Sequence, residues 1–413
     1  MNLQSIYRNP SLSLIVLILL LCTNLHGQGK WTKASSDGFT PRSGLASCVI
    51  GDKIYVLGGV SGLMPNILYL NTLEVYDPAS NTWNTPVTTG SFSPRGWFTA
   101  NVVDGKIYVI GGFDANLNSV SSEVQVFDPA NNSWNTLSTT GFFSPRFDHT
   151  ASVINGKIYI FGGADGNYLI STVDIFDPST NNWNQADATG SFISRRGATS
   201  VTLEGKIYII GGYSDHDLNA FDIFDPVNNS WSTPSTIGKF SASSNATACV
   251  LGGKVYVMGG TYGYTYVTKF KLFDPPTDSV NLVSTIGSLT PRAWLTSSVV
   301  GNRIYVMGGY NQDSSLNTNE VFTLTQSDEV KNDPAAHEIN IFPNPTIGIV
   351  SVSGNTSNFS EVSVLNVLGE NVMNILHPEG NNFTLDLSSL TSGIYNIRIN
   401  IHNSVLMRKI VKE

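Results

Sequence analysis

One heptapeptide pattern, Lys-[Ile/Val]-Tyr-[Val/Ile]-x-Gly-Gly, recurs along this chain and constrains its fold more than any other feature. It ends at Gly58-Gly59, Gly111-Gly112, Gly162-Gly163, Gly211-Gly212, Gly259-Gly260 and, with Arg303 in place of Lys, at Gly308-Gly309. Successive copies lie 53, 51, 49, 48 and 49 residues apart. A steady period of this size marks a repeated supersecondary unit in which each copy buries its apolar surface against the next.

Aligned on the first Gly, each copy holds four short runs of β-type residues bounded by turn residues. In the third copy they are HTASVI, KIYIFGG, VDIFDP and NNWNQ. Asn155-Gly156, the strongest kind of short hairpin signal, joins the first two runs, and the Asp177-Pro178 turn leads from the third run to Trp183 in the fourth. Each copy is therefore expected to be a four-stranded antiparallel meander. Such a sheet has two faces to cover, so the predicted fold class is all-β, a six-bladed β-propeller with its sheets packed face to face around an axis. Closure is read from the fourth-strand column, Trp83, Trp134, Trp183, Trp231 and Leu282. The last copy stops at NEVFTLT without a fourth run, while Lys30-Trp31-Thr32 is an unassigned one. That N-terminal strand is expected to close the ring.

The Tyr-x-x-Gly-Gly string, the Asp-Pro turn and the downstream Trp resemble kelch repeats over residues 30–326. The resemblance implies a six-bladed kelch propeller whose ligands meet the face carrying the loops before the first strand and after the second.

Two address-like segments flank the repeats. Arg8 precedes an apolar run of 11 residues, Leu12 to Cys22, followed by Gly27-Gln28-Gly29. A bilayer-spanning helix needs about 20 apolar residues, so residues 1–29 are read as a cleaved secretion signal that leaves no transmembrane anchor. Leu21 is too bulky for the small residue that a lipoprotein motif needs before Cys22. Cys48 and Cys249 remain, each ten residues before its Gly pair and two blades apart, and are expected to be buried free thiols. At the other end, residues 327–338 (around Pro334) read as a linker, and residues 339–413 hold four β-rich segments, enough for a small β-sandwich. Phe342-Pro343-Asn344-Pro345-Thr346 with Gly348, Gly369-Glu370, Leu387-Ser388-Ser389-Leu390 with Gly393-Ile394-Tyr395, and the basic Arg408-Lys409 resemble the type A C-terminal sorting domain of the bacterial type IX secretion system. This implies passage through the periplasm, engagement of the type IX machinery and a product that is secreted or held at the outer cell surface.

Charge narrows the partners further. Only 13% of the residues are charged, and 31 acidic against 23 basic side chains leave a net charge of -8, which offers no electrostatic reason to approach nucleic acid.

A residue type shared by every copy is explained by the sheet itself, whereas a ligand site should break the repeat. Tyr55, Tyr108, Tyr159, Tyr208, Tyr256 and Tyr305 are read as architecture on this ground. Arg42, Arg95, Arg146, Arg195 and Arg292 stand 16 residues before their Gly pairs, with Ser243 in the fifth copy. Two readings of that column are open, architecture or a ring of donors at the channel mouth able to hold a carboxylate, sulfate or sugar hydroxyls. Two residues later the column reads Gly44, Trp97, Asp148, Gly197, Asn245 and Trp294, with no shared type. In a closed ring Trp97 and Trp294 flank Gly44, which is expected to leave space between them. The loops after the second strands add Phe113, Asp114, Asp165, Tyr213, Asp215, His216, Asp217, Tyr310 and Asp313 to the same face. Two tryptophans beside a gap, with acids and arginines nearby, predict a sugar-stacking cleft, and the competing reading makes both Trp a packed plug.

Catalytic signatures are missing from the sequence: it has no nucleophile elbow, phosphate loop or zinc spacing. Asp148, His149, Asp165, Asp215 and His216 come from adjacent copies and are of metal-ligating type. Kelch repeats often carry His at the place of His149, however, and loop acids ordinarily face water, so no metal and no cofactor is assigned. A galactose-oxidase-like copper centre needs two His, two Tyr and a Cys-linked Tyr, and only His149 and His216 fall within the repeats. The expected function is a non-catalytic binding module for a glycan or an extracellular protein. Its ligand-binding candidates are Trp97, Trp294, Asp148, Asn245, Arg42, Arg95, Arg146, Arg195, Arg292, Phe113, Tyr213 and Tyr310. The alternative is an exported sugar-active enzyme such as a sialic-acid mutarotase, with Asp148 or Asp165 near Arg146 or Arg195 as acid and base.

Overall fold

The computed structural model describes residues 29–62, 66–324, 340–353, 359–366, 371–376, 382–401 and 404–413, so the signal reading of residues 1–28 and the linker reading of 327–338 lie outside the described residues. The chain divides into two compact units, residues 1–325 and 326–413. Among the described residues the regular elements are strands, apart from one 3-10 turn at Pro275–Thr277. No helix is long and apolar enough to cross a membrane.

In the first unit five copies each form a four-stranded antiparallel sheet, as in Thr150–Ile154, Lys157–Phe161, Val173–Asp177 and Asn182–Gln185. The last copy supplies three strands, Thr296–Val300, Arg303–Met307 and Asn319–Leu324. Gly29–Lys33 pairs antiparallel with the third of these, Trp31 opposite Phe322, and Thr285–Ile286 adds a short parallel edge. Second strands such as Lys106–Ile110 are buried along four consecutive residues because both faces of each sheet are covered. Ile110 and Val126 of the second sheet share a core with Ile158 and Phe176 of the third. The sixth sheet meets the first in the same way, Tyr305, Met307 and Val321 packing with Ile54, Val56 and Tyr76. This face-to-face stacking of meanders is β-propeller packing.

Register corrects one alignment. The fourth-strand Trp stands opposite the third-strand aromatic at Tyr76–Trp83, Phe127–Trp134, Phe176–Trp183 and Phe224–Trp231. In the fifth sheet the residue opposite Phe273 is the buried Val280, and Leu282 is exposed. The Asp-Pro turn sets pairing, and Val280 lies at the same distance from Asp274 as Trp183 from Asp177. Cys48 and Cys249 are free; Cys249 is buried and Cys48 half-buried, and burial raises both thiols, Cys249 to about 12.

The second unit contains a three-stranded sheet (Asn340–Phe342, Ile349–Ser353, Asn382–Asp386) and a four-stranded one (Phe359–Leu365, Asn371–Leu376, Gly393–Ile401, Ser404–Lys412). Val350, Val352 and Leu385 of the first share one core with Val362, Val364, Ile397, Ile399 and Ile410 of the second.

Candidate functional site

Two circuits of backbone hydrogen bonds organise the mouth of the first unit. In the outer one the second Gly of each pair donates to the next copy's Arg-column carbonyl: Gly59 to Arg95, Gly112 to Arg146, Gly163 to Arg195, Gly212 to Ser243, Gly260 to Arg292 and Gly309 to Arg42, all at 2.8 to 2.9 Å. The glycine ahead of it is required by the same close approach, since a Cβ on Gly58 would fall 2.9 Å from the Arg95 carbonyl oxygen. In the inner circuit the N–H of Trp97 donates to Gly44, Asp148 to Trp97, Gly197 to Asp148, Asn245 to Gly197, Trp294 to Asn245 and Gly44 to Trp294, at 2.7 to 3.0 Å. These six residues share φ values of 52° to 61°. The column that has no common side chain therefore has a common backbone. Gly, Asn and Asp enter the left-handed region readily, whereas a Trp does so only where its surroundings hold it.

The arginine column resolves into architecture. Arg42, Arg95, Arg146, Arg195 and Arg292 are each 0% exposed, so their reading as a ring of ligand donors is corrected. A guanidinium cannot stay uncompensated in an apolar interior, and each has an acid beside it. Arg42 meets Glu74 at 2.5 Å and Arg195 meets Asp222 at 2.7 Å, while Arg146 pairs with Asp174 and Arg292 with Glu320. Arg42, Arg146 and Arg292 also donate to the first carbonyl of their own Gly pair at 3.0 to 3.2 Å. The partner column on the third strand reads Glu74, Gln125, Asp174, Asp222, Lys271 and Glu320. Where it is Gln125, Asp114 and Glu123 supply the charge to Arg95, at 3.0 and 3.3 Å. Where the arginine becomes Ser243, the acid becomes Lys271. Burial lowers the pKa of Arg42, Arg95, Arg146 and Arg195, and the neighbouring carboxylates oppose that shift.

The other candidates separate into two groups. Trp97, Asp148, Asn245, Trp294 and Tyr213 line one cavity of about 850 Å³, together with Asp215, His216 and Asp217. Phe113 and Tyr310 are outside its lining: Phe113 stacks on Tyr69 at 5.5 Å, and Tyr310 lies edge-on to Trp294 at 6.4 Å. The expected gap over Gly44 is filled by Trp97 itself, because a Cβ on Gly44 would come within 2.8 Å of the indole Nε1. His149 is 6% exposed, with its Nε2 3.2 Å from Thr99 Oγ1, and burial drives it down to about 3. It does not join Asp148 in the cavity. Asp165 instead accepts the N–H groups of Asn167 and Tyr168 within its own turn. Among the described residues no group of three or more His, Cys, Asp or Glu could hold a metal ion.

Sequence reasoning missed half of the lining. Phe147 and Arg196 belong to the column directly after the arginines, Ser43, Gly96, Phe147, Arg196, Ser244 and Ala293, which is as irregular as its neighbour and carried the same signal. Tyr262, Tyr264 and Tyr266 come from the hairpin Thr261–Tyr262 and Thr265–Tyr266, a run of aromatics that no other copy has. Charged groups in this cavity are poorly matched. Burial raises the Asp148 carboxyl to about 6, with Arg196 opposing the shift. Asp217 is 8% exposed; its Oδ2 accepts the Gly263 N–H at 2.6 Å and its Oδ1 has no partner. The Arg196 guanidinium sits 5.8 Å from the ring centres of both Phe147 and Tyr213, a double cation–π contact. Asp215 is engaged by His216 at 2.5 Å.

Comparison with known proteins supplies three family matches, two of them to kelch repeats. A model of the KLHDC2/KLHL20/DRC7 Kelch-repeats domain matches residues 17–163 and 93–260, and the Kelch motif matches 242–285 and 291–327. Residues 340–413 match the secretion system C-terminal sorting domain. Relatives include the mouse (Mus musculus) Rab9 effector protein with kelch motifs, 34% identical over 149 residues, 34% of this chain and 38% of the relative. Another is the Bos taurus Kelch domain-containing protein 3, 29% identical over 147 residues, 32% of this chain and 37% of the relative. The chain thus spans under two fifths of the length of these curated relatives.

Proposed function

The chain belongs to the kelch-repeat family and carries a type IX sorting domain that makes it a secreted or cell-surface protein, and from that premise we propose that it is a non-catalytic binding module whose ligand is a glycan. In this reading the six sheets are blades of one ring over residues 30–326, closed by the strand Gly29–Lys33. Residues 327–338 connect it to a β-sandwich, residues 339–413, that the type IX machinery engages. The observation that carries the function is the cavity at the mouth. Trp97, Trp294, Tyr213, Tyr262 and Tyr266 offer aromatic faces, and Asp148, Asn245, Asp217 and Arg196 offer donors and acceptors, the mixture that a sugar's apolar face and hydroxyl rim require.

The mature full-length chain on a glycan array tests this. Wild type should bind a defined set of glycans, and the Trp97→Ala, Trp294→Ala double variant should lose them. Binding that survives both changes removes the cavity from the function. An array without hits, with the fold intact, transfers the reading to an extracellular protein ligand.

One observation favours a sugar-active enzyme as the second reading: Asp148, raised to about 6 inside a cavity beside Arg196, is poised for proton transfer near neutrality. Arg146 and Arg195 take no part, being fully buried and paired with Asp174 and Asp222. Anomer exchange of free sialic acid followed by NMR decides it, and a rate no greater than in buffer sinks the mutarotase.

A further inference from the structure

We propose that the mouth cavity and a smaller hollow beside it are two subsites of a single groove for a linear oligosaccharide, with Arg196 on the saddle between them and Tyr168 as the platform of the outer subsite. The proposal rests on the glycan reading above and adds the length of the ligand and the direction in which it runs.

The hollow, about 210 Å³, is built from the third copy's loop around Tyr168 and from Ser214 of the fourth. It shares Phe147, Arg196 and Tyr213 with the cavity of about 850 Å³, so these three side chains form a wall common to both. That wall is tied on each side. Phe147 and Ala164 exchange both backbone hydrogen bonds at 3.0 Å, and Arg196 and Tyr213 do so at 3.0 and 2.8 Å. The guanidinium lies between the two rings and has no side-chain hydrogen bond or ion pair among the described residues. A planar fork of donors held at the junction of two cavities can reach a ring or bridging oxygen of a chain that passes from one to the other. A monosaccharide would leave one side of it unused.

Tyr168 supports the outer half. The residue is 76% exposed, yet its backbone is fixed: the N–H donates to Asp165 Oδ1 at 2.8 Å and the carbonyl accepts the Asp165 N–H at 3.1 Å. An open aromatic ring on a turn that is hydrogen-bonded in place is a preformed stacking surface.

The experiment titrates the mature full-length chain, by calorimetry, with linear oligosaccharides from disaccharide to hexasaccharide in the cello, chito, xylo and laminarin series, and with pentaglutamate and pentaalanine as peptide arms. In at least one sugar series affinity should rise about tenfold or more with length and then level off. Tyr168→Ala should weaken the longest ligand about tenfold while leaving the shortest binder within about twofold, and Arg196→Gln should weaken both about tenfold, with partial recovery in Arg196→Lys. Affinity independent of length, or an equal effect of Tyr168→Ala on short and long ligands, overturns the groove. If binding is then still lost in the Trp97→Ala, Trp294→Ala variant, the glycan cavity stands without its extension. No binding in any sugar series overturns both, and tighter binding of a peptide than of every sugar overturns the saccharide assignment. Tyr168 and Arg196 are not buried in a core, and circular dichroism confirms that the variants remain folded.

Discussion

Arg195 and Arg196 are consecutive in the chain and occupy opposite environments. Arg195 is fully buried in the loop ahead of the fourth sheet, donates to the Ile193 carbonyl at 3.3 Å and is paired with Asp222 at 2.7 Å. Arg196, bridged to Tyr213 in an extended conformation, points the other way, between two aromatic rings on the wall of a cavity, and has no carboxylate at ion-pair distance among the described residues. Alternation along an extended backbone is enough to separate them. The comparison shows that repetition in this chain follows burial and not charge. The buried arginine recurs in five copies because each copy has the same interior to satisfy, while its neighbour at the mouth is free to differ.

The largest effect expected from breaking this contrast is on stability. Arg195→Met strands Asp222 without its cation and should destabilise the propeller by about 3–5 kcal/mol, whereas Arg196→Gln should change it by less than about 0.5 kcal/mol. Chemical denaturation of both variants checks this, and similar losses would erase the distinction. The fifth copy sharpens it. Ser243→Arg alone places a second cation near Lys271 and should cost about 1–3 kcal/mol, as Lys271→Glu alone should cost a smaller amount. The double variant rebuilds the Arg42–Glu74 arrangement and should recover most of the loss, with a coupling of about 1–3 kcal/mol in a double-mutant cycle. An additive cycle would mean that the column's covariation has no energetic basis.

A third effect concerns the charge at the mouth. Asp148 titrates at about 6 in the folded protein, above the roughly 3.9 of an unfolded chain. Its folded state therefore binds the proton more tightly, so the stability due to this group is greatest below pH of about 4 and falls as pH rises to about 6. Asp148→Asn, which keeps a residue suited to the left-handed backbone, should gain about 3 kcal/mol over wild type above that window and nothing below it. Arg196, Asp215, His216 and Asp217 face the same cavity in both proteins and cancel in the difference. A stability difference that does not change with pH would place the Asp148 carboxyl in water.

Much of the fold was legible because turns and strands are local. The Asn155-Gly156 turn, the Asp177-Pro178 turn and the buried run Ile158, Tyr159, Ile160, Phe161 each require only neighbouring residues, and six repeats multiply the signal. Leu282 stands in the fourth-strand column as an apolar residue close to the expected place, yet the spacing from the Asp274-Pro275 turn puts Val280 there. The candidate site was half legible. Its inner ring shows in the column that begins at Gly44, whose side chains share no type, but the left-handed backbone those six residues share leaves no mark in the residue types of Trp97 and Trp294. Arg196 and Phe147 stand in an adjacent column with the same irregularity, and nothing local distinguishes a residue there that faces the cavity from one that does not.

Sequence alone determined the period, the strands, the family of the repeats and the sorting tail, because each rests on local pattern repeated or on a motif contiguous in the chain. Tertiary structure decided which arginines are sealed and which is free, that Trp97 covers Gly44, and that residues from the second to the sixth copies line one cavity. Those outcomes depend on which way each side chain leaves the backbone and on what a neighbouring copy, some fifty residues away, places against it.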